Sequence, residues 1–241
     1  MKVAVLSDIH GNGIALKYAL DDLKRNGIKK IIILGDVVMK GPMPVESLHL
    51  LRNKEFEIMA WIKGNTELWL EEIKDGWIPS NESEKEIYSY YSYAVNYLSA
   101  EEKQFLQKLP LEASININET SILCVHGTPQ SIVEAVDATV PEEEIKKAIK
   151  GVNEAMILSG HSHTVYIGEM EDRIIFNVGS VGNPLDGDNR ISYGILDFKQ
   201  GGVQLENRRL TYPQKEIIKI AADRDFPMAD KYKNIIENGL M

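Results

Sequence analysis

Cysteine and long apolar segments are both scarce in this chain of 241 residues, which has Cys124 as its single cysteine. One cysteine excludes a disulfide framework and is typical of a protein from a reducing compartment. Because Cys124 lies within an apolar run, we expect it to be buried as a small hydrophobic residue. No run approaches the roughly 20 apolar residues that cross a bilayer, and no basic segment leads into an apolar one before the strand pattern at residues 2–6. We therefore expect a cytoplasmic protein without a membrane partner.

Positive charge is also in short supply. Lysine and arginine number 27 against 36 acidic residues, so the formal net charge is −9. A protein that binds duplex nucleic acid normally presents a basic face, because neutralising phosphates dominates that affinity. Duplex nucleic acid is therefore not an expected partner. Nucleotides are still compatible with an acidic chain if a metal ion supplies the positive charge locally.

The chain contains no internal repeat, low-complexity tract or linker rich in proline, glycine and serine. Its length suits one large α/β domain or two small ones, and its composition of 44% hydrophobic and 26% charged residues is typical of a globular protein. We interpret residues 1–241 as one domain.

The first third of the chain alternates between strand and helix patterns. Strands are predicted at residues 2–7, 30–34 and 56–62, with helices at 14–26 and 44–51 between them. This order implies parallel strands joined by right-handed crossovers. Residues 66–109 are helical instead and rich in tyrosine, and we predict that they form an insertion standing over the functional site.

The second half of the chain is richer in strands. Residues 113–118 and 121–125 form one predicted hairpin, and residues 164–170 and 173–177 form another. Two more strands are predicted at residues 191–198 and 203–209. The alternation of parallel and antiparallel patterns predicts an α/β fold with two mixed sheets packed face to face and helices outside.

Side chains that can bind metals follow the ends of five apolar runs. In open α/β sheets ligands bind outside the carboxyl ends of the strands, so donors that are distant in sequence are expected to converge there. Polar residues seldom cluster at the ends of buried strands unless they are paired or hold metals. The seven candidates are Asp8, His10, Asp36, Asn65, His126, His161 and His163.

Taken singly, each of these motifs also has an ordinary structural interpretation. Asp8 to Asn12 suits a strand-to-helix turn, Asn65 suits a helix cap, and a lone His126 suits a buried, hydrogen-bonded histidine. The combination is more informative, because four of the five histidines lie just beyond strand ends. The fifth, His49, lies in a leucine-rich helical stretch and is interpreted as structural.

The chemistry of the donors indicates which metals they suit. Two carboxylates, one amide oxygen and four imidazoles, with no thiolate, favour hard to borderline ions. We expect Mn²⁺ first, with Fe, Ni²⁺ and Zn²⁺ as alternatives. Seven donors are too many for one tetrahedral ion and suit two ions, whose mutual repulsion a shared carboxylate offsets.

The ordered motifs Asp-x-His at 8–10, Gly-Asp at 35–36, Gly-Asn at 64–65, His126 and Gly-His-x-His at 160–163 resemble those of the calcineurin-like metallophosphoesterase superfamily. The later stretch from Asn177 to Pro184, followed by Arg190, is similar to its small bacterial and archaeal branch of phosphodiesterases and relatives of diadenosine polyphosphate hydrolases. This resemblance implies a four-layer α/β sandwich of two mixed sheets flanked by helices. It also implies a dinuclear site. Asp8, His10 and His163 would hold one ion, Asn65, His126 and His161 the other, and Asp36 would bridge them.

One position departs from the family pattern. Many members have a histidine after the Gly-Asn motif that assists the leaving group, and this chain has Thr66 there. A threonine hydroxyl is too weak an acid to replace an imidazolium, so we expect aryl diesters and anhydrides to be better substrates than alkyl monoesters. Thr66→His is expected to narrow that difference, provided that the ring fits beside Asn65.

The predicted function is a metal-dependent phosphoesterase that cleaves phosphodiester or phosphoanhydride bonds of small molecules or nucleotides. Two cations lower the pKa of a bound water, and the resulting hydroxide attacks phosphorus in line. No side-chain general acid is assigned. Asn12, Lys40, Thr66 and Arg190 are candidate substrate contacts, although Arg190 equally suits an ordinary surface residue. A protein Ser/Thr phosphatase, a non-enzymatic metal-stabilised scaffold and a homo-oligomeric assembly are alternatives that the sequence leaves open.

Overall fold

The computed structural model describes residues 1–240, and in them the strands form two five-stranded sheets. The first sheet has the strand order β10-β9-β1-β2-β3, and the second has the order β4-β5-β6-β8-β7. The strands are β1 (Lys2–Leu6), β2 (Lys30–Ile33), β3 (Glu57–Trp61), β4 (Ala113–Ile117), β5 (Thr120–Cys124), β6 (Met156–Ser159), β7 (Val165–Met170), β8 (Arg173–Val178), β9 (Ile191–Lys199) and β10 (Gly202–Leu210).

Both sheets are mixed, as predicted. In the first, β1, β2 and β3 run parallel, while β9 is antiparallel to β1 and β10 is antiparallel to β9. In the second, β5, β6 and β8 run parallel, while β4 and β7 are antiparallel edge strands. The carboxyl ends of three parallel strands therefore share one edge in each sheet.

Apolar side chains fill both faces of the first sheet. Along β1, Val3 and Val5 pack against the second sheet, where they meet residues such as Phe176. Ala4 and Leu6 point to the opposite face and pack against helices. Successive side chains of a strand point to opposite faces, so a continuous apolar run is what burial on both faces requires.

Helices cover the outer faces of the two sheets, which gives the four layers predicted from the sequence. One helix packs on the second sheet, where Ile145 contacts the cluster containing Leu123 and Ile157, and most of the others lie on the side of the first sheet. The helices are α1 (Gly13–Arg25), α2 (Pro44–Arg52), α3 (Asn65–Glu72), α4 (Glu82–Tyr97), α5 (Ala100–Gln107), α6 (Glu142–Ala148), α7 (Gln214–Asp223) and α8 (Ala229–Asn238).

The predicted helices and strands agree with the observed elements to within a few residues at most boundaries. Helices α3 to α5 occupy the stretch between β3 and β4 where a helical insertion was predicted. The interpretation of the chain as one domain stays a prediction. Helices α7 and α8, by contrast, were not anticipated. Together they form a carboxyl-terminal hairpin that packs on α4 through Phe226, which contacts the rings of Tyr90 and Tyr93.

Two further expectations concern apolar segments. Cys124 is buried as expected, and its burial raises the pKa of the thiol to about 12. Within residues 1–240, no helix is both long enough and apolar enough to span a bilayer.

Candidate metal centre

The seven predicted ligands come together at the carboxyl ends of the parallel strands. Asp8 and His10 follow β1, Asp36 follows β2, and Asn65 is the first residue of α3 after β3. The second sheet contributes His126 after β5 and both His161 and His163 after β6. Asp8, His10, Asp36, His126 and His163 are buried, and Asn65 and His161 are half-buried.

Two overlapping sets of donors are close enough to hold metal ions. Asp8, His10 and His163 form one set, and Asp8, Asp36 and His126 form the other. Oδ2 of Asp36 lies 3.5 Å from Nε2 of His10 and 3.6 Å from Nε2 of His126. Asp8 is common to both sets, and the Asp36 carboxylate of the second set also lies close to His10 of the first.

Asn65 and His161 extend the second set. Oδ1 of Asn65 lies 3.1 Å from Nε2 of His126 and 2.9 Å from Nδ1 of His161. The structure thus brings all seven predicted residues into one cluster.

The backbone of the cluster is held in an unusual conformation. Five of the seven residues have positive φ angles between 46° and 66°, namely Asp8, His10, Asp36, His161 and His163. This left-handed region is uncommon for residues other than glycine and costs free energy that the surrounding structure must supply. Such strain concentrates at functional sites, and here it turns consecutive side chains toward one point.

Close approach of the backbone explains two of the glycines in the motifs. A Cβ atom at Gly64 would lie 2.1 Å from Oδ1 of Asp36, and one at Gly160 would lie 2.0 Å from Oγ of Ser7. Ser7 in turn donates a hydrogen bond to Oδ2 of Asp8 at 2.6 Å. Any side chain at these two positions would displace a metal-binding carboxylate or its partner.

Backbone carbonyl groups set the protonation of the four imidazoles. A ring nitrogen of His10 lies 3.1 Å from the carbonyl of Met39, and one of His126 lies 2.7 Å from that of Leu34. The carbonyl of Val133 likewise faces a ring nitrogen of His161, and the carbonyl of Asn183 faces a ring nitrogen of His163. Because a carbonyl only accepts hydrogen bonds, the nitrogen facing it must carry the hydrogen. The other nitrogen of each neutral ring is left with a lone pair directed into the cluster.

At His10 and His163 these nitrogens face each other instead of a donor. Nε2 of His10 and Nε2 of His163 are 3.0 Å apart. Oδ1 of Asp8 is buried and has no hydrogen-bond partner among the described residues. Acceptors turned toward one another at hydrogen-bond distance repel unless a cation lies between them. The donor set therefore fits metal ions.

The carboxylates determine the electrostatics of the cluster. Burial raises the pKa of Asp8 and of Asp36, but the neighbouring histidines outweigh it and hold both below their usual range. Burial likewise lowers the pKa of His126, but Asp36 and Asp8 outweigh it and raise the pKa to about 9. Burial dominates at His10, whose pKa falls to about 4. The carboxylates thus attract positive charge at one point while His10 stays neutral and able to bind a metal.

Glu67 is a residue of the site that the sequence analysis missed. Its buried carboxylate accepts hydrogen bonds from the backbone N–H groups of Asp36 at 2.7 Å, Val37 at 2.8 Å and Gly64 at 2.8 Å. Burial and the nearby Asp36 carboxylate raise the pKa of Glu67 to about 7. The glutamate three residues after Gly64, which accepts from the Gly64 N–H, matches the glutamate half of a capping box, a signal that could have identified it.

Thr66 and Asn12 require a correction, because neither has a free polar group for substrate. The hydroxyl and the N–H of Thr66 both donate to Oδ1 of Asp36 at 2.9 Å. The side chain of Asn12 caps α1 by accepting from Ala15, and it donates to the carbonyl of Gly182 and to Tyr212. Thr66 and Asn12 are both fully buried, and Thr66→His would remove the hydroxyl that donates to Asp36.

Arg190 and Lys40 lie in different surroundings. Arg190 is exposed, paired with Asp188 at 2.6 Å, and lies in a surface hollow with Tyr18 and Arg209. This hollow contains none of the seven ligands. Lys40 is half-buried and lines a hollow that also includes His161 and His163. Of the four predicted substrate contacts, only Lys40 is placed beside the metal ligands with a free charge.

The tyrosines of α4 differ in their surroundings. Tyr90 is buried and Tyr93 is half-buried, and both pack against Phe226. Tyr91 is half-buried, and its hydroxyl donates to the carbonyl of Ile73 at 3.3 Å. Tyr88 and Tyr97 are exposed. Among these tyrosines only Tyr90 lines the hollow that includes His161 and His163, and the rings of Tyr90 and Tyr93 contribute to the packing of α4 on the carboxyl-terminal hairpin.

Comparison with known proteins agrees with this geometry. Residues 1–201 match the family model of the calcineurin-like phosphoesterase superfamily domain. An uncharacterized protein of Methanocaldococcus jannaschii is 30% identical over 222 residues, which are 84% of this chain and 85% of that protein.

Two crystal structures share the fold over nearly the whole chain. A hypothetical protein from Pyrococcus horikoshii OT3 has a TM-score of 0.85 at 21% identity, covering 99% of this chain and 98% of its own. A metallophosphoesterase from Sphaerobacter thermophilus has a TM-score of 0.77 at 23% identity, covering 100% of this chain and 99% of its own. At these identities the likeness concerns the fold.

Proposed function

This chain belongs to the calcineurin-like phosphoesterase superfamily, and from that premise we propose that it is a dinuclear metal-dependent hydrolase of phosphodiester or phosphoanhydride bonds in small molecules or nucleotides. The observation that carries the proposal is the pair of imidazole nitrogens that His10 and His163 turn toward each other at 3.0 Å, beside the unpartnered Oδ1 of Asp8. Bound metal ions would satisfy these groups together. The members of the family act on phosphorylated substrates, and bound ions would offer such a group positive charge.

We assign the ligands to the two proposed ions as the family resemblance implies. Asp8, His10 and His163 would hold the first, and Nε2 of His163 lies 3.1 Å from Oδ1 of Asp8. Asn65, His126 and His161 would hold the second, and Asp36 would be shared by both. When bound, the ions supply a water of lowered pKa as the nucleophile and positive charge that stabilises the transition state.

The protein's own residues orient this centre and limit its substrates. Thr66 and Glu67 fix the side chain and the backbone of Asp36, respectively. Since position 66 holds no imidazole, no acid is assigned to protonate a leaving group, so the proposed substrates are those with acidic leaving groups such as aryl diesters and anhydrides.

Mn²⁺ is the proposed metal, with Fe, Ni²⁺ and Zn²⁺ as alternatives. Four imidazoles favour transition metals over Mg²⁺, which prefers oxygen ligands and keeps several waters. The test is to strip the metals, to refill the protein with each ion separately, and to measure both the metal content and the hydrolysis of bis(p-nitrophenyl) phosphate, p-nitrophenyl phosphate, a dinucleoside polyphosphate and a phosphoserine peptide.

We expect two Mn²⁺ ions per chain, restored hydrolysis of the aryl diester or the anhydride, and weak restoration by Mg²⁺. His126→Gln should lose one ion and most of the activity. His49→Gln is the matched control, because this histidine pairs with Glu102 on the surface and its side chain is 62% exposed. Full rescue by Mg²⁺ alone, or one ion per chain, would contradict the proposed ligand set. Fastest cleavage of the phosphoserine peptide would favour a protein phosphatase instead.

A further inference from the structure

A small hollow opens beside the metal centre and is lined by charged and polar groups from distant parts of the chain. Its volume is about 210 Å³, and its walls include His161 and His163. Lys40 comes from the loop after β2, Asn183 from the loop after β8, and Lys231 and Tyr232 from α8. The carboxyl-terminal hairpin therefore contributes directly to the surroundings of the metal ligands.

The two lysines bring positive charge to the same hollow. Lys40 forms no ion pair with the carboxylates of residues 1–240, and its ammonium lies 5.6 Å from the centre of the Trp69 ring. The backbone carbonyl of the preceding residue, Met39, accepts from His10, so Lys40 is held next to a metal ligand. Lys231 pairs with Glu86 of α4 at 2.5 Å. Two cations thus share the hollow with one carboxylate.

The size of the hollow restricts what it can hold. Sites for drug-sized ligands usually measure about 300–1,000 Å³, so a hollow of about 210 Å³ lies below that range and suits a small group such as a phosphate or carboxylate. The excess positive charge selects an anion among groups of that size.

We propose that this hollow is a subsite for a second anionic group of the substrate, bound by Lys40 and Lys231. The inference rests on the proposed function, because the first anionic group is the scissile phosphate at the metal centre. The substrate then carries a terminal phosphate, phosphonate or carboxylate a short chain away from the scissile bond.

Binding of inert ligands tests the subsite without turnover. Isothermal titration of the Mn²⁺-loaded protein compares propyl phosphonate with propane bisphosphonate, which has the same chain and a second anionic end. We expect the bisphosphonate to bind about tenfold more tightly, which corresponds to one charge-assisted hydrogen bond. A phosphonate ending in a carboxylate distinguishes a phosphate-selective subsite from a general anion subsite.

Three variants change this affinity ratio in different directions. Lys40→Met and Lys231→Met should reduce it toward one, and Glu86→Gln should increase it because the competing carboxylate is removed. Lys233→Met is the control, since Lys233 lies on the same helix but is exposed. Equal affinity of the wild type for both ligands would overturn the proposal. A ratio that none of the three variants alters would also overturn it.

Kinetics separates this inference from the proposed function. The two substrates are p-nitrophenyl propyl phosphate and the same diester with a phosphonate at the end of its propyl chain. The wild type should show a kcat/KM about tenfold higher for the second diester, mainly through a lower KM. If it cleaves both equally, the subsite is refuted and the proposed function stands. If it cleaves neither, diester hydrolysis is refuted while the affinity ratio still decides the subsite.

Discussion

Replacing Glu67 should reveal how strongly one buried carboxylate supports the metal centre. Its two oxygens accept three backbone N–H groups, from Asp36, Val37 and Gly64, at distances of 2.7–2.8 Å. These bonds connect the loop after β2 to the start of α3, which carry Asp36 and Asn65. The loss of Glu67 should therefore affect the stability of the fold and the affinity for metals together.

The contacts determine the expected magnitude. In Glu67→Ala three buried donors lose their partner, at about 1–3 kcal/mol each, a total that approaches the whole stability of an ordinary domain. Glu67→Gln is more informative because its amide oxygen can keep the two donors that share Oε2, from Asp36 and Gly64. Its NH₂ group then faces the N–H of Val37 and loses that bond. Avoiding the burial of a charge offsets part of this loss, and we expect a net destabilisation of about 2 kcal/mol.

Urea unfolding and metal titration measure the two consequences. Glu67→Gln should lower the free energy of unfolding by about 2 kcal/mol and weaken Mn²⁺ binding about tenfold or more, as is typical when the partner of a metal ligand is lost. Glu72→Gln, at the exposed end of the same helix, should change stability by less than about 0.5 kcal/mol. Wild-type stability and metal affinity in Glu67→Gln would refute the role assigned to these three hydrogen bonds.

Three further substitutions test other parts of the structure. Asp36→Asn should leave the protein folded, as followed by circular dichroism, but should abolish turnover and lower metal content; normal activity with two bound ions would contradict the bridging role. Thr66→His should lose metal and activity and should not speed the hydrolysis of alkyl esters, because the fully buried threonine holds Asp36. Faster hydrolysis of alkyl esters with both ions retained would show that the histidine ring fits. Phe226→Ala should lower the free energy of unfolding, measured in urea, by about 3–5 kcal/mol, because the Phe226 ring packs against Tyr90 and Tyr93. A decrease of less than about 1 kcal/mol would show that this aromatic cluster contributes little to stability.

Local patterns were sufficient to predict most of the architecture. The apolar run from Lys2 to Leu6 and the hairpin turn at Glu119 and Thr120 specify their strands through neighbouring residues alone. The helices α7 and α8 were not anticipated, although buried residues such as Ile217 and Ala221 recur at helical spacing and offered a local signal. Only their packing against α4, more than 100 residues away in sequence, depends on the folded chain. The partners of Asn12 show the same limit, since Gly182 and Tyr212 are brought to it only by the folded chain.

By itself the sequence determined the fold class, its family resemblance and the seven candidate ligands, because strand periodicity and motif order are local properties and parallel strands place their carboxyl ends at one edge. Only the tertiary structure decided which groups are free to act. In the folded chain Thr66 and Asn12 form hydrogen bonds with other residues, and Arg190 lies in a separate hollow. Glu67 accepts a hydrogen bond from the backbone of Asp36. It also joined Lys40 to Lys231 in one small hollow, across 191 positions of the chain. The physical reason is that neighbouring residues determine whether the polar groups and charges of a side chain stay unpaired, and only long-range packing brings those neighbours into contact.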